Sequence, residues 1–158
     1  MARDERAVQT AAEQSAALLT SAGFPKMPAR TLMALMTSET GLTAVELAER
    51  LGVSAAAISG AVRYLQTVGI IRRIAASGSR RDRYELPEDA WYAVLTGKSP
   101  LYGALASLAE SATKAIDEPG SAASARLDEM AQFYRFFDSR IPALMEEWER
   151  LRRAPRPA

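Results

Sequence analysis

Residues 54–86 constrain the fold of this chain more than any other stretch. They read SAAAISGAVRYLQTVGIIRRIAASGSRRDRYEL and open with Ser54, a residue type that commonly caps a helix N-terminus. Gly69 is suited to end a helix, because glycine readily adopts the left-handed backbone conformation found beyond helix C-termini. Between them, apolar residues recur at helical spacing: Ile58, Ala61, Val62, Leu65 and Val68. The stretch therefore predicts a helix over residues 54–68.

A basic β-hairpin is predicted directly after this helix, over residues 70–86. A β-type run extends from Ile70 to Ala75, and a polar Ser77-Gly78-Ser79 turn separates it from a short second strand, Arg83 to Leu86. Six arginines and one acid lie between residues 54 and 83, which gives this window +5; the whole chain is +1, so the rest carries −4. This asymmetry indicates a face that binds a polyanion.

A shorter helix is predicted just before Ser54. Thr43, followed three residues later by Glu46, has the spacing of a capping box. Gly52-Val53 then makes a tight turn into Ser54, so a helix, a glycine turn and a second helix follow one another. This is a helix-turn-helix pattern, and with the basic hairpin after it the sequence predicts a winged helix-turn-helix.

Further helices are predicted on both sides of this unit. Residues 4–21 have an alanine-rich face, which we interpret as a packing or dimerisation element, the alternative being a loosely attached surface helix. A second helix runs from Pro28 to about Ser38. Another begins at Leu86-Pro87-Glu88-Asp89 and is closed by Gly97 and Pro100.

The C-terminal third is predicted to be helical. Residues 101–117 form one helix, and Glu118-Pro119-Gly120-Ser121 is a linker. One kinked helix over about residues 123–153 is favoured over two helices broken near Ser139, the kink being expected at Pro142. Its apolar residues alternate by three and four, the spacing of an interhelical seam: Leu127, Met130, Tyr134, Phe137, Ile141, Leu144, Trp148 and Leu151.

The predicted fold class is mainly α with a small β-hairpin wing, a winged helix-turn-helix domain flanked by N- and C-terminal dimerisation helices. Residues 1–24 form the N-terminal helix, residues 25–98 the winged helix-turn-helix domain, and residues 99–158 the C-terminal helical dimerisation and effector region. No apolar run is long enough to span a bilayer, and the charged N-terminus lacks a signal-peptide apolar region. We therefore expect a soluble, cytoplasmic protein.

Composition argues against catalysis. The chain contains no cysteine and no histidine, which excludes disulfides, thiolate metal sites and a Ser-His-Asp triad. An enzyme that uses carboxylates such as Glu146 and Glu147 is the remaining alternative, but adjacent residues on a helix point about 100° apart and do not form a pair. We expect neither a cofactor nor an enzyme.

The outward face of the second helix is the candidate DNA-reading surface. With the core positions turned inward, the exposed residues are Ala55, Ala56, Ser59, Gly60, Arg63 and Gln66. Their small side chains permit close entry into the major groove, with Ser54, Ala55, Ala56 and Ser59 along it. Arg63 either contacts DNA or pairs with Asp82 and holds the hairpin in place. So short a surface offers few base contacts, so specificity is expected to depend on DNA shape as well.

The hairpin supplies further arginines. Arg80 and Arg81 follow the turn at its tip and are suited to a narrow minor groove. Arg72 and Arg73 alternate between the two faces of a strand, so both cannot reach DNA by the same route, and one is free to pack or pair internally. Of these two, Arg72 is predicted to contact DNA.

Residues 43–86 resemble the MarR-like winged-helix transcriptional regulators, and the wider run is similar to the GbsR/MarR subgroup. The resemblance implies a homodimer, expected to be a repressor, that binds an inverted-repeat operator in double-stranded DNA, with residues 54–68 as recognition helix and residues 71–86 as wing. The matching phrases are FPKMPARTLMALM, LTAVELAERLGVSAAAISGAVRYLQTVGIIRR, GSRRDRYEL, DAWYAVL and the aromatic run Phe133-Tyr134-Arg135-Phe136-Phe137.

The resemblance also implies control by a small-molecule effector or by osmotic stress. Choline-sensing members suggest an aromatic ligand pocket, although core and dimer packing explains the same aromatic residues: Trp91, Tyr92, Tyr102, Phe133, Tyr134, Phe136 and Phe137. The alternative function is a winged-helix protein-interaction module without DNA binding, which would not require an arginine cluster.

Overall fold

Helices account for most of the chain, and a small sheet lies among them. The computed structural model describes residues 4–75, 81–88, 90, 92, 99–116, 118 and 120–154. The chain divides into two compact units, Met1–Ala90 and Trp91–Ala158. The elements of the first unit are α1 (Glu5–Ser21), α2 (Lys26–Met36), β1 (Leu42–Thr43), α3 (Ala44–Leu51), α4 (Ala55–Thr67), β2 (Arg72–Ala75) and β3 (Asp82–Glu85). The second unit contains α5 (Ser99–Ile116) and α6 (Ala122–Arg153).

The predicted helix-turn-helix is present as α3, a glycine turn and α4. The Thr43 hydroxyl accepts a hydrogen bond from the Glu46 backbone N–H at 3.2 Å, and the Glu46 carboxylate accepts one from the Thr43 backbone N–H at 2.7 Å, which confirms the capping box. Gly52 ends α3 with φ of 63°, a left-handed conformation that glycine adopts without strain. The Ser54 hydroxyl caps α4 by accepting from the Ala57 backbone N–H at 3.2 Å.

The core of the first unit is built around α2, which packs against α1, α3 and α4. Leucines and isoleucines from three helices are fully buried there, and each contributes roughly 1.5–3 kcal/mol relative to an exposed side chain: Leu32, Leu47, Ile58 and Leu65. On α1 the buried residue is Ala16, whose small side chain permits close packing. α1 packs against α2 and buries Ala16, while the rest of its alanine-rich face is exposed or half-buried, so its role as a dimerisation element stays a prediction.

The sheet has three strands where two were predicted. β3 lies in the centre and pairs antiparallel with β2 and with the two-residue strand β1, which the sequence pattern did not indicate. The hairpin strand begins at Arg72 rather than at Ile70, because Ile70 and Ile71 are buried in the core before the strand starts. The tip, residues 76–80, lies outside the described residues.

In the second unit, α5 and α6 pack against each other. α6 runs from Ala122 to Arg153 with Pro142 inside it, which confirms one helix over two. α5 begins at Ser99, so Pro100 lies in the first turn of this helix, where no backbone donor is needed, instead of only closing the preceding one. The predicted helix between Pro87 and Gly97 falls largely outside the described residues.

A bidentate ion pair joins the two helices of this unit. The Arg135 guanidinium donates to both carboxylate oxygens of Glu110, at 3.0 and 3.2 Å, and to the Ser107 hydroxyl at 3.0 Å. These hydrogen bonds hold the pKa of Glu110 below its ordinary value, an effect that partial desolvation opposes. The pair adds a side-chain contact to the packing of α5 against α6.

Only part of the predicted seam on α6 is used within the chain. Ile141 is buried, and Leu127 and Tyr134 are half-buried. Phe137 is also half-buried, and the other positions of the stripe are exposed: Met130 is 36% exposed, Trp148 43%, Leu144 55% and Leu151 63%. Part of the stripe therefore packs in the monomer, and the exposed residues leave an apolar ridge on the surface.

Among the described residues, no helix is both long enough and apolar enough to cross a membrane.

One buried hydroxyl leads to a test of the core. Thr31 on α2 is 0% exposed, and its Oγ1 has no hydrogen-bond partner among the described residues. Burial without a partner costs free energy, so Thr31→Val, which keeps the shape and removes the hydroxyl, is expected to raise the free energy of unfolding by about 1 kcal/mol. Urea denaturation of both proteins measures the difference.

Thr31→Ser is the matched control. It keeps the hydroxyl and deletes the methyl group, so it is expected to lower stability by about 1 kcal/mol. A less stable Thr31→Val would show that the hydroxyl has a partner in solution.

Candidate nucleic-acid interface

The exposed face of α4 is the one that the sequence predicted. The apolar stripe of this helix is buried against the core, and the candidate reading positions are all exposed: Ala55, Ala56, Ser59, Gly60, Arg63 and Gln66. Arg63 and Gln66, in the C-terminal half of α4, are the large side chains of this set, and the others are small. A helix with this profile can enter a major groove without displacing its own core contacts.

Ser54 has a structural role as the N-cap of α4. Its hydroxyl oxygen accepts the cap hydrogen bond from Ala57, so that oxygen is already engaged at the helix N-terminus. The hydroxyl proton can still be donated to a phosphate or a base acceptor. Ser54 therefore starts α4 and lies at the edge of the exposed face.

Arg63 has no ion-pair partner among the described residues. The alternative that it pairs with Asp82 is wrong, because the Asp82 carboxylate instead binds the Arg73 guanidinium. Arg63 is exposed and projects from the same face of α4 as Ala56 and Gly60. Its charge is thus available to a ligand outside the chain.

The arginines of strand β2 are both used inside the wing. Arg72 donates from Nε to the Glu85 carboxylate at 2.7 Å across the β2–β3 pair, and Arg73 pairs with Asp82. The sequence predicted that one of the two arginines could pair internally. In the structure both of them do. The Asp82 hydrogen bond also holds the pKa of Arg73 above its ordinary value. Arg72 as a DNA contact stays a prediction, now with a carboxylate competing for its guanidinium.

At the tip of the wing, Arg81 is exposed and adjoins β3. Arg81 also interacts with another residue of the chain. Arg80 lies outside the described residues. Both remain predicted DNA contacts.

Sequence reasoning missed Arg83, which fastens the wing to the helix-turn-helix. From β3 its Nε donates to the Gly41 carbonyl at 3.0 Å, and its Nη2 donates to both carboxylate oxygens of Glu46 at 3.1 Å. Gly41 allows the strands to approach closely, because a Cβ there would lie 2.9 Å from the Tyr84 carbonyl oxygen. The alternation of side chains along β3 could have indicated which face of the sheet Arg83 lies on, but only the fold places it beside Glu46.

Glu46 is consequently the most heavily engaged carboxylate of the first unit. Its pKa lies below the ordinary value, chiefly because the Thr43 backbone N–H donates to the carboxylate. The Thr43 hydroxyl and the Arg83 guanidinium lower it further, against an opposing effect of desolvation. The carboxylate therefore stabilises the fold in its charged form.

Among the described residues, no three side chains of the types that bind metals come together. The exposed face of α4 and the arginines beside it are suited to a polyanion, and the chemistry they offer is hydrogen bonding and charge neutralisation.

Two family models match the chain, in adjacent parts. One, described as MarR family, matches residues 22–82, and the other, described as MmpR5-like MarR family transcriptional regulator, matches residues 89–152. A comparison with curated proteins gives no match.

Solved structures give the fold over nearly the whole chain. A crystal structure of a transcriptional regulator is 23% identical, with a TM-score of 0.81, and the similarity covers 91% of this chain and 99% of that one. MepR, a transcription regulator of the Staphylococcus aureus multidrug efflux pump MepA, is 16% identical with a TM-score of 0.41, over 93% of this chain and 84% of MepR. An S. aureus MepR–DNA complex is 18% identical with a TM-score of 0.40, over 85% and 93%. TM-scores as low as these two add nothing to the fold assignment.

The Glu46 junction generates a prediction about acid stability. The folded pKa of Glu46 lies below its unfolded value, so its contribution is complete above the ordinary glutamate pKa of about 4.3 and is lost as pH falls through the folded pKa. Glu46→Gln is therefore expected to lower the melting temperature at pH 7 by roughly 1–4 °C and to flatten its decrease in acid. Thermal unfolding from pH 7 to pH 3 measures both effects.

Glu49→Gln is the matched control on α3. Glu49 is exposed and has no ion pair in the described part of the chain, so this variant is expected to retain the parent's acid profile. Identical profiles for Glu46→Gln and the parent would show that the junction contributes nothing to stability.

Proposed function

We propose that this chain, which has the fold of a MarR-family winged-helix transcriptional regulator, binds double-stranded DNA as a homodimer and regulates transcription from an inverted-repeat operator. The observation that carries the proposal is the exposed face of α4, where Arg63 has no carboxylate partner in the described part of the chain. Helices that read DNA present small and basic side chains in this way to the major groove.

Three arginines of the wing form ion pairs within the chain. Arg72, Arg73 and Arg83 are each held by a carboxylate of the chain itself. They give the hairpin its shape and its attachment to α3. The predicted DNA contacts are Arg63 on α4 for the major groove and Arg80 and Arg81 for the minor groove. Arg72 is a further predicted contact, although Glu85 also binds its guanidinium, and Arg81 also has a partner within the chain.

The exposed ridge of α6 supports a homodimer. The exposed residues of the apolar stripe are Met130, Leu144, Trp148 and Leu151, three of them in the C-terminal third of α6. Leu108 on α5, 68% exposed, adds to the apolar surface of the second unit. Covering such surface with a second copy removes it from water, and two copies of a short reading helix match a two-fold operator with half-sites about 34 Å apart.

The aromatic residues of the second unit pack mainly on each other. The Tyr102 ring stacks on Tyr134 at 5.9 Å and meets Phe137 edge-on at 5.1 Å, and Phe133 stacks on Phe137 at 6.1 Å. These contacts favour helix packing over an open aromatic box. Trp91 lies outside the described residues. The effector, the GbsR subgroup and repression rather than activation stay predictions from the sequence resemblance.

Binding across a salt series tests the DNA contacts. Each arginine that neutralises a phosphate contributes about 1 to the slope of log affinity against log salt, so Arg63→Ala is expected to reduce the slope by about 1, and Arg80→Ala with Arg81→Ala by about 2. An Arg63 that reads a base would instead relax the preference for one position of the selected site. Fluorescence anisotropy with DNA selected by the parent protein distinguishes these outcomes.

Arg126→Ala serves as the control for net charge. Arg126 is an exposed arginine of α6 with no ion pair in the described part of the chain, so its loss changes the charge by the same amount outside the proposed interface. Unchanged slopes in the Arg63 and wing variants would remove these arginines from the interface. Failure of the parent to bind any DNA would favour the protein-interaction module.

The dimer generates a separate prediction. Leu144→Lys with Leu151→Lys is expected to give a folded monomer, because both side chains are already exposed in the single chain and only an interface would suffer from the charges. Affinity for a two-half-site operator should fall by orders of magnitude, to the level of a single half-site. Sedimentation velocity and binding to one and two half-sites measure the two effects.

Gln132→Lys adds a lysine to an exposed position of α6 outside the apolar stripe and is expected to stay dimeric. A parent protein that sediments as a monomer and binds one half-site as tightly as the complete operator would contradict the dimer.

A further inference from the structure

Gly60 lies in the interior of α4, at a position where the described structure gives no reason for glycine. Inside a helix glycine is less favourable than alanine, because it loses more conformational freedom when the chain folds. α4 extends from Ala55 to Thr67, so Gly60 is remote from both caps. A glycine here weakens the helix that carries the candidate DNA-reading face.

The structural reasons that usually explain a glycine do not hold at this position. Gly60 is not among the described glycines with positive φ, which include Gly52 and Gly69. A Cβ built on Gly60 meets no heavy atom of the described chain within 4 Å, whereas one built on Gly41 would lie 2.9 Å from a carbonyl oxygen. The space that the missing methyl group leaves free is therefore outside the molecule.

The neighbours of Gly60 define which surface this space belongs to. Ala56 lies one turn before it and Arg63 one turn after it on the exposed face. Tyr64, which adjoins this face, turns its ring edge-on against Phe24 at a centroid distance of 5.5 Å. The side of α4 near Tyr64 is thus occupied by the chain itself, and the side with Ala56, Gly60 and Arg63 is left for a partner.

We infer that Gly60 is a specificity-determining position: the absence of a side chain lets the edges of bases in the major groove approach the α4 backbone more closely than a methyl group would allow. The inference rests on the proposed function and deepens it. With the helix seated at this depth, the flanking side chains of Ser59 and Arg63 come within reach of base edges. A bulkier residue would hold the helix at the level of the phosphates, where contacts carry little sequence information.

The test separates stability from recognition in full-length Gly60→Ala. Alanine favours the helix, so the melting temperature is expected to rise by about 2–4 °C. The Kd for DNA selected from a random library by the parent is expected to increase about tenfold, comparable to the loss of one base contact. The Kd for unrelated DNA should not change, because non-specific binding depends on phosphate contacts.

Gly103→Ala is the matched control. Gly103 lies inside α5, and a Cβ built there also meets no heavy atom of the described chain within 4 Å. This variant is expected to gain similar thermal stability and to bind both DNAs as the parent does. Sedimentation velocity shows whether each variant keeps the oligomeric state of the parent.

Several outcomes would overturn the inference while leaving the proposed function intact. They are a Gly60→Ala protein that binds selected DNA as tightly as the parent, one that is less stable than the parent, one that loses its oligomeric state, or an equal loss of affinity in Gly103→Ala. A parent protein that selects no DNA would overturn the proposed function itself.

Discussion

The contact between the wing and the helix-turn-helix is centred on the partly exposed carboxylate of Glu46. Glu46 accepts hydrogen bonds from Thr43 at the start of α3 and from Arg83 on β3, and Arg83 also donates to the Gly41 carbonyl. The start of α3 and strand β3, whose contacting residues are 37 positions apart, meet at this carboxylate. Because an ionised carboxylate can satisfy several donors at once, a single side chain both starts a helix and fixes the sheet beside it.

Carboxylates of the chain also neutralise part of the positive charge near the proposed interface. A window of strong positive charge looks in sequence like a uniform basic surface, but Arg72, Arg73 and Arg83 are each neutralised by a carboxylate of the chain. Exposed pairs of this kind contribute little to stability, yet they hold long side chains in defined directions. The consequence is that three arginines of this window have carboxylate partners, while Arg63 on α4 has none in the described part of the chain.

The apolar stripe of α6 is partly buried within the second unit and partly exposed. Ile141 is buried within the chain, while Leu144 and Leu151 stay exposed on the same helix. A heptad pattern requires apolar residues at both kinds of position, because burial in the monomer and burial in the proposed dimer impose the same requirement on the side chain. Packing against α5 then buries only some of them.

The sequence by itself determined the elements of this protein that arise from local interactions. Capping by Thr43 and Ser54, the left-handed glycine turn and the apolar stripe of α4 all depend on residues within a few positions of one another, and all were predicted. The tertiary structure alone decided the third strand, the partners of the arginines and the surroundings of Gly60. Each of these depends on which distant residues the fold brings into contact, as with Arg83 and Glu46, 37 positions apart. Local pattern carries no information about such pairs, because the long-range pairing of β3 with β1, at the start of α3, brings the two residues together.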